Sequence, residues 1–175
     1  MNAPASWSPP TSEMSPVCSI TVYGTSTGTS VAPEVCIVRV IGSPSSTIVV
    51  PAQSGATITD LNVYVNISHS YSSDVRISLT SPANTTVALI NSALCTNNQN
   101  IIVEFDQTGV NGAVGATCPM NNLYVIPAAS LAGLNGQLFQ GTWTLTIQDA
   151  AAQDAGVLNS WCLIPTLSVP VARVS

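Results

Sequence analysis

The only histidine of the chain lies in Ile67-Ser68-His69-Ser70-Tyr71-Ser72-Ser73-Asp74, among serines and one carboxylate. These are the parts of a Ser-His-Asp hydrolase: a hydroxyl nucleophile, an imidazole base and an acid that orients the base. Their spacing argues against that chemistry. Neighbouring residues on an extended chain point to opposite faces, so His69, Ser70 and Asp74 do not converge merely by adjacency. No G-x-S-x-G elbow surrounds these serines to hold one of them strained. His69 reads as a strand-end histidine that hydrogen-bonds a loop.

Gly28-Thr29-Ser30-Val31-Ala32-Pro33 is similar to the nucleophile segment of subtilisin-like proteases, but it is one residue short before the proline. It has no long helix after it and no matching Asp and His segments, so it reads as part of a Thr/Ser-rich arm. Asp149 and Asp154 form a carboxylate pair in IQDAAAQDAG, which suits acid–base work, a turn or a hard cation. If calcium binds, its ligands are expected among Asp74, Asp106, Asp149 and Asp154; no other cofactor is expected. The five cysteines, Cys18, Cys36, Cys95, Cys118 and Cys162, contain no C-x-x-C pair. With a single histidine they do not make a zinc set, and disulfides in an oxidising compartment are expected. Two sequons, Asn66-Ile67-Ser68 and Asn84-Thr85-Thr86, are glycosylation candidates that fit an exported protein.

Composition narrows the partners. The 175 residues carry no lysine, three arginines and eight acids, for a net charge of −5, and only 6% of residues are charged. Neutralising phosphates needs clustered cations, so nucleic acid and anionic membrane surfaces are excluded. No apolar run reaches the roughly 18 residues that a membrane span needs. The first residues have neither a basic nor an apolar leader region, so an exported form would be mature or trimmed. A surface this poor in charge needs another source of solubility or is covered by partners.

The elements that position these groups read as strands. Residues 1–35, rich in Pro, Ser and Thr, read as an extended arm in which 19–23 is a short strand. From residue 36 the pattern changes. Leu61, Val63, Val65 and Ile67 alternate with Asp60, Asn62, Tyr64 and Asn66, which is the period of a half-buried strand. Val75, Ile77 and Leu79 repeat it, Ser81-Pro82-Ala83-Asn84 is a turn, and 86–90 returns. Ile101, Val103 and Phe105 face inward, as do Trp143, Leu145 and Ile147, and 161–169 closes the series. Only 128–134 suggests a helical turn. The expectation is one all-β domain over 36–170, an antiparallel jelly-roll sandwich, with a tail at 171–175.

Several motifs then fall in order. Leu61 to His69, followed by Ser73-Asp74-Val75-Arg76-Ile77-Ser78-Leu79-Thr80-Ser81-Pro82, resembles the core of the P domain that follows the catalytic unit in kexin- and furin-type proprotein convertases and in bacterial secreted proteases. Val75 stands where that family has leucine, and Asn84-Thr85 stands for its Gly-Thr. Asn100 to Asp106, Gly141-Thr142-Trp143-Thr144-Leu145 and Asp154-Ala155-Gly156-Val157-Leu158-Asn159-Ser160-Trp161 resemble further family segments. The resemblance covers roughly 36–168. It implies a non-catalytic jelly-roll module, exported to the extracellular space or cell surface, that stabilises or tethers its neighbours. Within that frame Trp143 and Trp161 are core anchors, Cys95 pairs with Cys118, and Cys36 pairs with Cys162. Cys18 is left for another chain.

This sequence departs from the family in having no catalytic signature ahead of the domain. The first expectation is therefore a structural subunit that assembles with copies of itself, through its arm, into a filament or surface layer. The alternative is the accessory domain of an adjacent secreted subtilisin-like protease. An adhesin or carbohydrate-binding module is third, since no aromatic stripe is visible.

Overall fold

The structure is a computed structural model. It describes residues 30–31, 35–40, 45–52, 55–151 and 156–170, with only the backbone described for 30–31 and 35–40. The strands are β1 (Ser30–Val31), β2 (Val35–Val40), β3 (Ser45–Val50), β4 (Thr57–His69), β5 (Val75–Thr80), β6 (Thr86–Ile90), β7 (Ile101–Phe105), β8 (Asn121–Val125), β9 (Gly141–Asp149) and β10 (Gly156–Ser168). Two 3₁₀ turns, Ser72–Asp74 and Leu131–Leu134, are the helical pieces among the described residues.

The strands form two sheets. The first runs β1-β10-β4-β7-β8, with β2 also on β10, and the second runs β3-β9-β5-β6. The β7–β8 pair is parallel, and the other strand pairs are antiparallel. The outcome is a two-layer β-sandwich. The period-two pattern produces it directly: one face of each strand is apolar and must be covered by the other sheet. On β4 the residues Leu61, Val63, Val65 and Ile67 are all at most 1% exposed. Val75, Ile77 and Leu79 of β5 answer them from the second sheet, together with Trp143, Leu145 and Ile147 of β9.

Both indoles sit in this interior at 0% exposure. Trp143 donates its Nε1–H to the Phe139 carbonyl at 2.8 Å, and its ring packs at 46° to the Phe139 ring with centroids 5.9 Å apart. Trp161, on β10, donates to the Ser46 hydroxyl of β3 at 2.9 Å. That bond crosses from one sheet to the other and satisfies a polar atom that burial would otherwise penalise.

Several expected strands extend further than the alternation alone implied. The strand read from the alternation over 60–67 runs from Thr57 to His69, and the last one, expected at 161–169, begins at Gly156. β8 was not anticipated, because Asn121-Asn122-Leu123-Tyr124-Val125 has no clean alternation. Its pairing is instead held through parallel bonds to β7. The strand expected at 19–23, most of the 1–35 arm and the 171–175 tail lie outside the described residues. Ser30 and Val31 pair with Leu167 and Thr166 of this chain's own β10. The protease-like Gly28–Pro33 segment thus enters a strand at Ser30, whereas the subtilisin pattern leads into a helix.

Candidate functional site

Alternation decides where His69 points. It continues the inward series of β4 by one step beyond Ile67, so its imidazole enters the end of the sandwich. Asp149 continues the inward series of β9 past Ile147 in the same way. The two meet across the sheets with Nε2 and Oδ2 3.3 Å apart, and the two side chains are 1% and 4% exposed.

The second nitrogen is also engaged. Tyr71 donates its backbone N–H to His69 Nδ1 at 3.1 Å. A neutral imidazole has one donor nitrogen and one acceptor nitrogen. Nδ1 accepts, so the proton is on Nε2 and is donated to Asp149. No imidazole lone pair remains to take a proton from a serine. The nearby hydroxyls bond elsewhere: Ser72 donates to the carbonyls of Cys95 and Asn98, and Ser73 to Asp74. His69, Ser70 and Asp74 are therefore not assembled as a triad.

The clasp is braced on all sides. The His69 N–H donates to Asn100 Oδ1 at 3.1 Å, and Asn100 N–H returns to the His69 carbonyl at 3.0 Å. Ala151 N–H donates to Asp149 Oδ1 at 3.2 Å, and Ala150 N–H to the Asp74 carbonyl at 2.8 Å. Gly156 faces the ring. A methyl group there would overlap His69 Cδ2 and come within 2.9 Å of the Ser68 carbonyl oxygen. A ring held at both nitrogens has no room to retreat, so glycine is what lets β10 pass.

Of the four carboxylates considered for calcium, the structure describes Asp74, Asp106 and Asp149. Asp149 belongs to the clasp. Asp106 Oδ1 accepts from Thr108 N–H and the Thr108 hydroxyl, closing its own turn. Asp106 follows Phe105, which pairs with Val63 in the middle of β4, six positions before His69. Asp74 accepts from Ser73, and Asp154 lies outside the described residues. Among the described residues no three His, Cys, Asp or Glu side chains are placed to share a metal ion.

Cys95 and Cys118 are bonded, with Cα atoms 5.5 Å apart and a sequence separation of 23. Cys162 is also disulfide-bonded, and its Cα neighbour across the β2–β10 pair is Cys36. The Cys36 side chain and all of Cys18 lie outside the described residues, and the pairings expected for them lie there too. Closing the Cys95–Cys118 loop contributes about 3 kcal/mol in the chain-entropy picture. Cys95→Ser with Cys118→Ser is expected to lower the urea midpoint accordingly, and an unchanged midpoint would show that the loop's hydrogen bonds suffice.

The two sequons occupy different settings. Asn66 lies mid-strand and half-buried, and its Oδ1 accepts from Asn159 at 2.9 Å. Asn84 lies exposed in the β5–β6 turn with φ of 62°.

Sequence comparison fits this geometry. A profile of the family described as "Proprotein convertase P-domain" matches residues 58–165, more than half of the chain. The transglutaminase-activating metalloprotease of Streptomyces mobaraensis is 28% identical over 115 residues, which cover 66% of this chain and 12% of that protein. A crystal structure of a serine protease of Aeromonas sobria superposes with a TM-score of 0.51 at 19% identity, over 83% of this chain and 28% of that one. That likeness is one of fold. The chain spans well under a third of either relative. The profile match, running from the start of β4 almost to the end of β10, places this chain in the proprotein convertase P-domain family.

Proposed function

We propose that this chain acts as a non-catalytic accessory domain that stands beside a secreted proteolytic unit and stabilises it. The observation that carries the reading is the family match over 58–165, in relatives that are named as proteases and are several times longer. The His69–Asp149 clasp supports it, because the one imidazole of the chain is engaged in structure at both nitrogens. The Cys95–Cys118 bond supports an extracellular setting. Among the described residues no helix is long and apolar enough to cross a membrane.

The test is thermal unfolding of the proteolytic unit carried with or encoded beside this chain, measured with and without it. A domain that binds only the folded partner raises that partner's Tm. A rise of several degrees is expected, and no rise at saturating chain would sink the reading. Assembly with copies of itself is the second reading, and the 6% charge content favours it. Light scattering on the purified chain checks it: polymers support it, and a monomer at all concentrations removes it. Calcium enters as a ligand proposal only, checked by isothermal titration with calcium chloride. Asn84 is the sequon whose setting suits a glycan, checked by the mass of the exported chain.

A further inference from the structure

We propose that the outer face of the second sheet is a docking groove for an extended protein segment, and that Arg76 receives an aspartate or glutamate carboxylate of that segment. The groove is a shallow hollow of about 390 Å³. Short side chains form its floor, namely Ser78, Ala88 and Thr146, while Arg76, Asn91 and Gln148 line its edge. Strand register explains the grouping. Arg76 lies opposite Gln148, and Ser78 lies opposite both Thr146 and Ala88, so these residues project from one face of β6, β5 and β9. The β5–β6 ladder slips between Ile77 and Ser78, and such an irregularity locally bends the sheet.

Arg76 is the unusual element. The chain has three cations against eight acids, and among the described residues no carboxylate pairs with this guanidinium. It is nonetheless held in place. Its Nη1 donates to the carbonyls of Ser73 at 2.8 Å and Val75 at 3.1 Å. A guanidinium carries five N–H donors. Those two bonds use the Nη1 pair, which leaves Nε–H and the two Nη2–H groups. Nε and Nη2 form the side-on fork that grips both oxygens of a carboxylate. An arginine already pinned by backbone carbonyls also loses less rotamer freedom when the anion arrives.

Charge complementarity therefore specifies an acidic group, and the rest of the groove specifies its carrier. A free anion would use Arg76 alone. The amides of Gln148 and Asn91 offer both donors and acceptors, which match the alternating N–H and C=O groups of an extended backbone. The floor of short side chains lets such a backbone approach the sheet. None of this depends on the accessory-domain reading, because the groove belongs to the folded chain whatever its neighbour.

The experiment is an NMR titration of the full ¹⁵N-labelled chain with two blocked tetrapeptides, acetyl-Thr-Glu-Thr-Val-amide and its glutamine counterpart. The glutamate peptide is expected to move the Arg76 Nε–H and Gln148 side-chain amide signals. The glutamine peptide should bind at least about tenfold more weakly, since charge assistance and the fork are lost. Arg76→Gln should abolish the difference between the peptides. Arg76→Lys should recover only part of it, because an ammonium lacks the planar fork. Unchanged core methyl signals in both variants would show that the fold survives. Equal binding of the two peptides overturns the proposal, as does full binding by Arg76→Gln or no shift with either peptide. Sodium acetate matching the glutamate peptide would also overturn it, since the groove would then contribute nothing beyond a charge.

Discussion

Trp161→Ala is expected to remove about 3–5 kcal/mol of unfolding free energy, enough to leave the domain barely folded at room temperature. The side chain is fully buried on β10, which pairs with β4 on one side and with β1 and β2 on the other. Truncation opens a cavity in the packed layer between the sheets and removes the dispersion contacts of a large ring. It also deprives the Ser46 hydroxyl of its donor. Ser46 is only 6% exposed, so water does not readily replace the bond. Trp161→Phe separates the two effects by retaining most of the volume while losing the N–H, and it should cost roughly half as much. Urea unfolding followed by far-UV circular dichroism reads both variants without relying on the deleted fluorophore. A loss below about 1 kcal/mol for the alanine variant would mean that β10 repacks freely, which close packing does not allow. Trp143→Ala should behave similarly, its lost partner being the Phe139 carbonyl.

His69→Ala is expected to be the next most damaging change, at about 3–5 kcal/mol, because it leaves the Asp149 carboxylate buried without its donor. Among the described residues Asp149 then keeps only the Ala151 N–H. Asp149→Ala should cost less, about 1–3 kcal/mol, since it strands a neutral N–H and not a charge. Asp149→Asn should be milder still, because the amide oxygen accepts the same Nε2–H. The double variant His69→Ala with Asp149→Ala should be more stable than His69→Ala alone, because the uncompensated charge is gone. That ordering is the signature of a buried pair. Additive losses in the double-mutant cycle would show that the two side chains act independently and that the clasp is incidental. The same variants bear on chemistry. A structural clasp predicts that His69→Ala alters unfolding while leaving peptide and ester turnover by the purified chain at the buffer rate before and after the change.

Much of this was legible in the residues. The alternation over 61–67, 75–79 and 143–147 names inward faces that the folded chain buries. Motifs in the order of the P domain give the same fold as the profile match. The clasp could have been read as well, because one further step of two along β4 reaches His69 and one along β9 reaches Asp149. Two polar residues at the inward ends of their strands must be buried, and buried polar groups seek each other. Nothing in either segment signals that they share the same end of the sandwich. β3, with Ser46, Ile48 and Val50 inward, alternates in burial but not in residue type, and β8 carried no alternation either.

Local chemistry thus determined which residues turn inward, where the chain reverses, and that the product is a sandwich without clustered cations. These follow from side-chain direction and turn preference within a few residues. The tertiary structure alone decided that β10 runs between β4 and the β1–β2 edge, that β9 runs between β3 and β5, and that His69 meets a carboxylate 80 residues away. Strand order and register are set by how two whole faces fit together, and that fit exists only once distant segments have met.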